Sequence, residues 1–530
     1  MLRLPGQPPR LICRCREKYI ARIEERMLIE LHCHTARHSR CSRIDPVALV
    51  KRAEEKNIQG VVITEHHYVW KPEELKELRV KSEASRHFLI LSAQEVGTDF
   101  GHVLVFGVNE SLRRNSSMAD LRRDHPEAAL VLAHPWRGGS SPSDERLTST
   151  LLDGVEVFSG NQDVRENCRA LARWHRLKFI ATAGSDAHQV SAVGTLPTYF
   201  DHPVETIEEL AEEIRNNRCR PYIKETIRSG GDTSVTKLSI GTKGEDEKRY
   251  RLVLRRTTNG ENFDNYMYRS EVMRAVHEHG FSIGRYRVPA VLYADKRERL
   301  VIEEGMRGTS LYTILSTASR EAGIEVFGMS ARWIALLHRK KIHVTGKQTT
   351  VDKERSRFEA YRDNSVRTNN PHKEQIVDSI DFVQSREESL FTHAVNQFVQ
   401  CHGDFQPQNI LIGQDRSHDH TTLFVAAIDF GSSYEFPPAF DVGYFLAQFK
   451  FQFKGQPHIA ERYPEDEFVR EYVAEYGREP SKEFWNRIDL FRIRGNLSII
   501  NYLILIGKGA GDDVADLVRD CAKLREKVEA

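Results

Sequence analysis

Histidine and acidic residues stand directly after a short apolar segment near the start of the chain and recur along its first half. His32 and His34 follow the segment Met27–Leu31 as a His-x-His pair. In an extended chain, residues i and i+2 point to the same side, so both imidazoles can reach one metal ion. Imidazole mixed with carboxylate suits zinc, manganese or iron, and the sequence leaves that choice open.

Further residues of the same types stand at or beside the ends of later strand-like segments. They are His66, Glu95, His102, His134, Asp186 and His188. In folds with parallel strands, functional side chains gather at the carboxyl ends of the strands, so we expect this set to meet at one mouth. A single histidine is more often an ordinary core or surface residue, whereas the whole set at matched positions predicts a metal centre. A bound divalent metal lowers the pKa of its water ligand toward about 7, which predicts metal-assisted hydrolysis.

A different constellation lies in the second half of the chain, in the segments 399–412 and 427–431. Asp404 and Asn409 have the Asp-x4-Asn spacing of a kinase catalytic loop, and Asp429 follows in an Asp-Phe-Gly sequence. In such loops the first aspartate accepts the proton of a substrate hydroxyl, while the asparagine and the second aspartate bind magnesium. This order and spacing predict transfer of a phosphoryl group from Mg-ATP or Mg-GTP.

The elements that must position these residues differ between the two halves. Short β-branched segments alternate with helical stretches from residue 27 to about 225, and this alternation predicts a parallel α/β sheet, barrel-like or layered. Residues 46–56 are predicted to be a helix, with Asp45 as its N-cap and Pro46 at its first position. A polar, glycine-rich stretch at 226–246 predicts a linker, after which a strand pair is followed mainly by helices.

Composition limits the classes of protein that remain. The 530 residues suffice for at least two domains, and 77 Lys and Arg balance 76 Asp and Glu. This balance argues against a polybasic nucleic-acid face, so nucleic acid is a partner that we do not favour. No run of 18 apolar residues occurs, so no membrane span is expected. The eight cysteines form no Cys-x-x-Cys pair, which predicts reduced thiols and a cytoplasmic location.

The candidate metal ligands of the first half carry a family resemblance. Their motifs are Leu31-His32-Cys33-His34-Thr35, Ile63-Thr64-Glu65-His66, Ala133-His134-Pro135 and Gly184-Ser185-Asp186-Ala187-His188. These segments resemble the four motifs of the polymerase and histidinol phosphatase (PHP) superfamily. The resemblance implies a distorted (β/α)7 barrel that binds two or three divalent metals (manganese, zinc or iron). The implied ligands are His32, His34, His66, Glu95, His102, His134, Asp186 and His188.

Two positions depart from the PHP pattern. Glu65 stands where the family usually has aspartate, and His38 is the candidate for the further ligand that often follows the His-x-His pair. Arg137 is expected to grip a phosphate group of the substrate, with Arg37 or Arg40 as further candidates.

The second half resembles the aminoglycoside phosphotransferase and choline kinase family. The segments that carry this resemblance are His402-Gly403-Asp404 and Gln406-Pro407-Gln408-Asn409. The resemblance implies a two-lobed α+β protein-kinase-like domain that uses Mg-ATP or Mg-GTP. It also implies that Asp441 braces the catalytic loop.

One position of the kinase-like half departs from its family. Arg255 stands where the family normally has the lysine that grips the nucleotide phosphates, and Glu271 is its expected partner on the next helix. An arginine can hold phosphates, but its planar fork differs from the point charge of a lysine. Arg255 and Glu271 are therefore expected to bind the nucleotide with Asn409 and Asp429, while Asp404 acts as the catalytic base.

The leading hypothesis is a bifunctional enzyme with four segments. They are an extension at 1–26, a PHP-type phosphoesterase domain at 27–225, a linker at 226–246 and a kinase-like domain at 247–530. The first domain hydrolyses a small-molecule phosphoester, and the second phosphorylates a small-molecule hydroxyl. Two alternatives stay open: the PHP domain acts as an exonuclease, or the kinase-like domain is a nucleotide sensor that regulates it. The substrates, the oligomeric state and the relation between the two reactions also stay open.

Overall fold

The protein is described by a computed structural model, which covers residues 27–243, 250–393, 397–416, 419–477 and 481–530, the side chains of 347–349 excepted. Residues 1–26, predicted to be an extension, lie outside this part of the chain. The chain divides into two compact units. Unit 1 runs to Gly230 and takes in Ser234–Leu254, whereas unit 2 comprises Gly231–Thr233 and Arg255–Ala530.

Unit 1 is built on one large sheet with helices between its strands. The strands are β1 (Met27–Glu30), β2 (Gly60–His66), β3 (Leu89–Thr98), β4 (Gly101–Phe106), β5 (Ala129–Leu132), β6 (Gly154–Ser159), β7 (Ala181–Gly184), β8 (Thr198–Phe200) and β9 (Cys219–Pro221). The helices are α1 (Pro46–Glu55), α2 (Pro72–Ser82), α3 (Met118–Asp124), α4 (Asp144–Leu147), α5 (Val164–Leu177) and α6 (Ile207–Arg215). The strand order across the sheet is β7-β6-β5-β4-β3-β2-β1-β8-β9.

The strand directions of this sheet are mixed, which differs from the parallel sheet that the sequence predicts. Strands β1 to β3 run parallel, as do β5 to β7, but β4 is antiparallel to both β3 and β5. The cause is the short connection between Thr98 and Gly101, because a parallel pair needs a much longer crossover. The Thr198 hydroxyl in β8 donates to Ala183 O in β7 and accepts from Ala183 N, so the sheet curls until these strands approach each other.

Local sequence signals explain where the helices of unit 1 begin. As predicted, the Asp45 side chain accepts hydrogen bonds from two backbone amides in the first turn of α1, and Pro46 occupies the first helical position. Helix α5 begins with a reciprocal capping box between Asp163 and Glu166. Apolar strand residues such as Ile29 are fully buried. The strands are therefore held as a rigid frame, and the polar residues at their ends are left to form a site.

The chain from residue 223 onward supplies short strands and long helices. The strands are β10 (Ile223–Gly230), β11 (Thr233–Ile240), β12 (Tyr250–Thr257), β13 (Tyr286–Arg287), β14 (Val291–Asp295), β15 (Leu300–Glu304), β16 (Thr309–Ser310), β17 (Val399–Cys401), β18 (Ile410–Gln414), β19 (Leu423–Ala427) and β20 (Tyr434–Phe436). The helices are α7 (Gly260–Val276), α8 (Leu311–Thr317), α9 (Arg320–Arg339), α10 (Lys347–Arg367), α11 (Lys373–His393), α12 (Ala439–Gln452), α13 (Pro457–Arg462), α14 (Glu465–Tyr476), α15 (Lys482–Leu505) and α16 (Asp512–Glu529).

The segment 226–246, predicted to be a linker, contains strands over much of the length that is described. Strands β10 and β11 are hydrogen-bonded neighbours in one sheet. The small polar residues that suggested a linker include Gly230 and Gly231, which lie at the turn between β10 and β11. Gly231 has φ +53°, a left-handed conformation that favours glycine. The glycines therefore mark a hairpin turn instead of a flexible connection.

Strands of unit 2 carry the two loops of the predicted phosphotransfer site. Strands β13, β19, β18 and β16 form a four-stranded sheet, and β17 pairs with β20. In the antiparallel pair β18-β19, Ile410 lies opposite Ala427. This register places the loop that precedes β18 beside the loop that follows β19. A core rich in buried aromatic residues, including Phe327 and Trp333, packs around these strands. No helix in the described ranges has the length and apolar character needed to cross a membrane.

Candidate functional site

The eight side chains predicted as metal ligands in unit 1 lie together. Their ligand atoms form four groups, within each of which the atoms lie no more than 4.8 Å apart. The groups are His34, His66 and His188; His32, His134 and Asp186; His32, His34 and Glu95; and Glu95, His102 and His134. Since the groups share members, they form one connected set, which we call the histidine–acid cluster.

Glu95, in β3, lies in the middle of the histidine–acid cluster. Its Oε1 is 2.6 Å from His102 Nδ1 and 2.9 Å from His134 Nε2, and its Oε2 is 3.0 Å from His66 Nδ1. Burial would raise the pKa of this carboxyl group, but its contacts with His102 and His134 outweigh burial and hold the pKa well below the usual range. Glu95 is therefore an ionised carboxylate whose two oxygens face different histidines, as expected of a ligand shared by two cations.

The position of the Asp186 carboxylate tests whether the histidine–acid cluster fits metal ions. Its side chain is buried, and Oδ1 lies 3.4 Å from His32 Nε2 and 3.2 Å from His34 Nε2. This oxygen nevertheless has no aligned hydrogen-bond partner in the described part of the chain. A buried carboxylate oxygen that lies beside two imidazole nitrogens, with no aligned hydrogen bond to either, has the position of a ligand beside a shared ion. The donor set of imidazoles and carboxylates thus fits zinc, manganese or iron.

Two buried carboxylates that the sequence analysis did not assign hold these predicted ligands in place. Glu156 Oε1 lies 3.0 Å from His32 Nδ1, and Oε2 accepts a hydrogen bond from His134 N at 2.9 Å. Since Nδ1 of His32 is engaged in this way, Nε2 is the atom that faces the cluster. Glu30 accepts hydrogen bonds from the amides of His32 and Ser185, and burial raises its pKa to about 7. The sequence could have indicated Glu30 and Glu156, because each is an acidic residue within an otherwise apolar strand.

The backbone is strained at two of the predicted ligands. His134 has φ 31° and Asp186 has φ 44°, both left-handed conformations that side chains other than glycine rarely adopt. Such residues cost on the order of 1–3 kcal/mol each and persist only where the surroundings fix them. The Glu156 contact with His134 N is one such restraint.

Glu65, which departs from the PHP pattern, fixes the loop that follows His34. Its carboxylate accepts hydrogen bonds from Thr35 Oγ1 and Ser39 Oγ at 2.5 Å each and from Trp70 Nε1 at 3.2 Å. Glu65 therefore positions the loop and does not belong to any ligand group among the described residues.

His38, the candidate for the further ligand, also lies outside these groups. Its Nε2 is 3.2 Å from Glu74 Oε1, and its ring stacks on Tyr68 with centroids 3.9 Å apart. The loop turns the ring of His38 toward α2, which is why the expectation is not met. The residue of the same loop that approaches the cluster is Cys41, whose Sγ lies 3.2 Å from His188 Nε2.

A cavity of about 490 Å³ opens beside the histidine–acid cluster. His102 and His134 line it, together with Arg137 and Arg146. Arg137 is exposed to solvent, so its guanidinium is available to an anion that enters the cavity. Arg146, which the sequence analysis did not single out, is a second cation in the same wall.

The other two arginines proposed for phosphate binding face elsewhere or lie at the surface. Arg37 Nη2 is 3.0 Å from Glu74 Oε1, and its guanidinium lies over the ring of Trp70. Arg40 is exposed. Neither residue is among those that line the cavity at the cluster.

In unit 2, the predicted base and magnesium ligands lie on two adjoining loops. Asp404 Oδ2 accepts a hydrogen bond from Asn409 Nδ2 at 2.8 Å, and Ile428 N, just before Asp429, donates to Asn409 O at 2.9 Å. Burial raises the pKa of Asp404 to about 6 despite the hydrogen bond that it accepts from Tyr444. A carboxylate with a pKa close to the working pH suits a general base.

The predicted catalytic loop of unit 2 is held by buried partners. Asp441 accepts hydrogen bonds from the amides of His402 and Gly403 at 2.7 Å and 2.9 Å, which confirms the bracing role that the resemblance implied. His402 also joins the two loops, since its Nε2 donates to Ile428 O at 3.1 Å and its Nδ1 accepts from Asp404 N at 3.3 Å. Burial lowers the pKa of His402 to about 4, so the ring is neutral and the two hydrogen bonds assign its tautomer.

The arginines of unit 2 pair differently from the expectation. Arg255 Nε is 3.1 Å from Glu303 Oε2, whereas the side chain of Glu271 is exposed. The buried cation on α7 is Arg269, which lies 3.3 Å from Glu303 Oε2 and 2.8 Å from Asp429 Oδ1. The expected pair of Arg255 and Glu271 is therefore not formed. Residues two apart on a helix point in directions that differ by about 200°. When Arg269 faces the interior, Glu271 therefore faces the solvent.

Asp429 thus has a permanent positive charge beside it. Burial would raise its pKa, but Arg269 and then Arg255 outweigh burial and lower the pKa below the usual range. Its backbone is left-handed, with φ 72°. The residue is held ionised and in a strained conformation, as is common for ligands at functional sites.

Two family models match this chain. Residues 226–482 match the phosphotransferase enzyme family, and residues 164–219 match a PHP-associated region. The chain joins a phosphotransferase region to a PHP-type region. This confirms the fusion that the two resemblances implied. The protein is a mixed α/β chain whose phosphotransferase region has a kinase-like fold.

Solved structures similar to parts of the chain include two small-molecule kinases. Ethanolamine kinase from Plasmodium vivax is 16% identical with a TM-score of 0.39, over 57% of this chain and 84% of that one. Choline kinase from Cryptosporidium parvum Iowa II is 16% identical with a TM-score of 0.41, over 58% of this chain and 90% of that one. A protein from Bifidobacterium adolescentis assigned as a metal-dependent phosphoesterase is 17% identical with a TM-score of 0.25, over 30% of this chain and 87% of that one. No curated protein sequence matches the chain.

Proposed function

We propose that the protein is bifunctional, with a metal-dependent phosphoesterase at 27–225 and a small-molecule kinase at 247–530. The observation that carries the proposal is the convergence, within each unit, of residues that are far apart in the chain and have the chemistry of these reactions. In unit 1 these are the four ligand groups, and in unit 2 the adjoining loops of Asp404, Asn409 and Asp429. We further propose that the curled sheet of β1 to β7 is the distorted (β/α)7 barrel of the PHP superfamily.

In unit 1, the histidine–acid cluster offers donor sets for two or three divalent ions. Bound ions would supply an activated water and neutralise the oxygens of a phosphate ester. The chain itself fixes the ligands, because Glu156 orients His32 and Glu30 holds the backbone at His32 and Ser185. Arg137 and Arg146 are placed to bind the phosphate oxygens of a substrate in the cavity beside the cluster.

In unit 2, an acceptor hydroxyl gives its proton to Asp404 while its oxygen bonds to the γ-phosphorus of ATP or GTP. The bond from that phosphorus to the bridging oxygen breaks, and the nucleoside diphosphate leaves. Asn409 and Asp429 are the residues placed to hold magnesium. Arg255 and Arg269 supply fixed positive charge beside Asp429, and His402 with Asp441 keeps the catalytic loop in position.

The hydrolase half is tested on the full chain loaded with manganese or zinc. A panel of phosphomonoesters is offered beside a labelled oligonucleotide, and phosphate release and chain shortening are measured. We expect phosphomonoester turnover that is lost in Asp186→Asn and kept in Asp404→Asn. Trimming of the oligonucleotide without phosphomonoester turnover would instead identify an exonuclease.

The transferase half is tested with ATP labelled in its γ-phosphate and a panel of small hydroxyl compounds. We expect transfer of the label to at least one acceptor, lost in Asp404→Asn and kept in Asp186→Asn. Tight nucleotide binding with no transfer to any acceptor and no hydrolysis of ATP would instead identify a nucleotide sensor.

A further inference from the structure

We propose that a ring of hydrogen-bonded side chains orients the carboxylate of Asp404 so that Oδ2, and not Oδ1, takes the proton of the acceptor hydroxyl. The ring, which we call the amide–phenol ring, consists of Asp404, Gln406, Tyr444, Gln448 and Gln452. The proposal rests on the proposed kinase. It adds four positioning residues and the identity of the atom that accepts the proton.

The two oxygens of the Asp404 carboxylate have different surroundings. Oδ1 accepts hydrogen bonds from Gln406 Nε2 at 2.7 Å and from Tyr444 OH at 2.9 Å. Within the described ranges, Oδ2 accepts one hydrogen bond, from Asn409 Nδ2 at 2.8 Å. Since a carboxylate oxygen has two lone pairs in its plane, both are occupied on Oδ1 and one remains on Oδ2. Oδ2 is therefore the oxygen that can take a further proton.

The donors of the amide–phenol ring all point toward Asp404. Gln452 Nε2 lies 2.6 Å from Gln406 Oε1 and 3.2 Å from Gln448 Oε1, so it can donate one hydrogen to each. Gln406 donates directly to Asp404. Gln448 Nε2 donates to Tyr444 OH at 3.1 Å, and the phenol in turn donates to Asp404. Two arms therefore run from one amide to a single oxygen of the base.

The charge of Asp404 fixes these directions. Because an ionised carboxylate only accepts hydrogen bonds, Gln406 has to turn its NH₂ group to it and Tyr444 has to donate its single proton. Gln406 Oε1 and the phenol oxygen are then left as acceptors, which the amides of Gln452 and Gln448 satisfy. Each orientation follows from the one before it, so the network assigns every amide in the ring.

The orientation of Gln452 is kept in spite of a cost. Its Oε1 is buried and has no hydrogen-bond partner among the residues that the structure describes. A buried acceptor without a partner is unfavourable. Reversal of this amide would turn its oxygen toward the oxygens of Gln406 and Gln448, so the two arms hold it in place.

One helix supports the whole arrangement. Tyr444, Gln448 and Gln452 are spaced by four residues and so lie on one side of α12. Tyr444 and Gln448 are 7% and 9% exposed, which limits the access of water that could replace their hydrogen bonds. Asp441, three residues before Tyr444 on the same helix, holds the amides of His402 and Gly403. Helix α12 thus fixes both the backbone and the side chain of the predicted base.

The ring gives the proposed reaction a defined proton acceptor. The hydroxyl proton moves to Asp404 Oδ2 while the hydroxyl oxygen bonds to the γ-phosphorus and the bond from that phosphorus to the bridging oxygen breaks. Without the phenol, Oδ1 keeps one donor, the two oxygens become alike, and the carboxylate can turn away from the acceptor. Misplacement of a reacting group by about 1 Å can cost about 10²-fold in rate.

Phosphoryl transfer by the full chain tests the role of the phenol. The probe is γ-labelled ATP with magnesium, and the panel of hydroxyl compounds and water serve as acceptors. We expect Tyr444→Phe to lower kcat by about 10- to 100-fold and to leave the KM for ATP unchanged. Tyr434→Phe is the matched control, because the Tyr434 hydroxyl also donates to a buried carboxylate, that of Glu354, at 2.8 Å. The control should lose stability and keep its kcat.

Two substitutions of Gln448 test the direction of one arm. Gln448→Glu keeps the size of the side chain but presents an acceptor, which draws the phenol proton of Tyr444 away from Asp404. Gln448→Met lacks this acceptor, so the phenol continues to donate to Asp404. We expect kcat to fall in Gln448→Glu nearly as far as in Tyr444→Phe, and much less in Gln448→Met. The double variant of Tyr444→Phe and Gln448→Glu should be no slower than Tyr444→Phe alone, because both changes remove the same hydrogen bond.

Three results would overturn the proposal. They are a wild-type kcat in Tyr444→Phe, equal losses of kcat in Tyr444→Phe and Tyr434→Phe, and equal losses in Gln448→Met and Gln448→Glu. The Gln448 pair decides the matter if Tyr444→Phe does not fold. A wild type that transfers label neither to a hydroxyl compound nor to water would remove the proposed kinase and the positioning role with it. Turnover that none of the ring variants changes would contradict the role of the ring alone.

Discussion

The two candidate sites hold their carboxylates with different kinds of cation. In unit 1, Glu95 and Asp186 face imidazoles, whereas in unit 2 Asp429 faces the guanidinium of Arg269 at 2.8 Å. Burial would lower the pKa of His32, but Asp186 and Glu156 raise it well above the usual range. An imidazolium can still exchange its proton for a metal ion, whereas a guanidinium stays charged in any protein.

This difference indicates where each site obtains the positive charge that balances its buried carboxylates. Under the proposed function, unit 1 takes divalent ions from solution, and the imidazole nitrogens that would bind them are already oriented by carboxylates such as Glu156. Unit 2 carries part of its positive charge in the chain, since Arg255 and Arg269 share the carboxylate of Glu303. We therefore expect substitutions in unit 1 to act through metal content and those in unit 2 to act through chemistry or folding.

The largest effect is expected from Asp404→Asn in unit 2. Loss of a general base typically costs about 10²- to 10⁴-fold in rate, so phosphoryl transfer should fall by that factor. The amide keeps the size of the side chain and can still contact Asn409, so nucleotide binding should remain. The measurement is label transfer from ATP beside a nucleotide-binding titration. An unchanged rate of phosphoryl transfer would show that Asp404 is not the base. It would also contradict the expectation that substitutions in unit 2 act through chemistry.

A second large effect is expected from Glu303→Gln. This change leaves the buried Arg269 and its neighbour Arg255 without the carboxylate that they share, and breaking a buried ion pair from one side costs about 3–5 kcal/mol. Chemical unfolding of unit 2 measures the loss. Glu298→Gln is the matched control, because its partner Arg256 is half-exposed and such surface pairs contribute about 0–1 kcal/mol. Equal losses of unfolding free energy in the two variants would mean that the Glu303 ion pairs do not stabilise unit 2 more than a surface pair does.

An intermediate effect is expected from Glu156→Gln in unit 1. The neutral amide is a weaker acceptor for the proton of His32 Nδ1 than the carboxylate is, so it orients the imidazole ring less firmly. Loss of such an outer partner costs about 10- to 100-fold in metal affinity. A competition titration with a metal chelator measures the change. Glu213→Gln is the control: this carboxyl group of unit 1 is also buried, but it contacts His202 and Arg218. A similar loss of affinity in the control would point to general destabilisation.

The smallest effect is expected from Glu387→Gln, in the helical part of unit 2. Burial raises the pKa of Glu387 well above the usual range, and Oε1 has no hydrogen-bond partner in the described part of the chain. Because the folded-state pKa is raised, the contribution of this group is most favourable below the unfolded pKa of about 4.3 and is lost as the pH rises above it. The amide should therefore stabilise unit 2 at pH 8 by on the order of 1 kcal/mol and by less at pH 4.5. The exposed Glu388→Gln should change neither value.

The sequence predicted which side chains come together in unit 1 better than it predicted the charge network of unit 2. Most residues of the histidine–acid cluster lie at or shortly after a strand end, and strand ends meet at one mouth whatever the loops do. His38 failed as a candidate because the path of an irregular loop decides where its residues point, and sequence spacing does not encode that path. Arg269 was missed because its partners, Glu303 and Asp429, come from other parts of the chain.

The fold could be predicted in outline and not in its details. Alternating apolar strands and helices predicted the α/β character of unit 1, and the cap at Asp45 predicted the start of α1. The antiparallel β4 was not predicted, because the direction of a strand depends on the length of one connection, here between Thr98 and Gly101. The glycines at 230 and 231 are compatible with a linker or a hairpin, and strand pairing decides between the two.

The acids buried in unit 1 have a consequence for the life of the protein in a cell. Glu30, Glu65, Glu95, Glu156 and Asp186 are each no more than 3% exposed, and they lie around one cluster. Under the proposed function this cluster holds metal ions. Cations that bind only the folded state stabilise it by mass action, so the folded fraction of unit 1 should rise with the metal supply. Chains made during metal scarcity would unfold more often and be degraded sooner. The abundance of the protein would then report on the availability of transition metals.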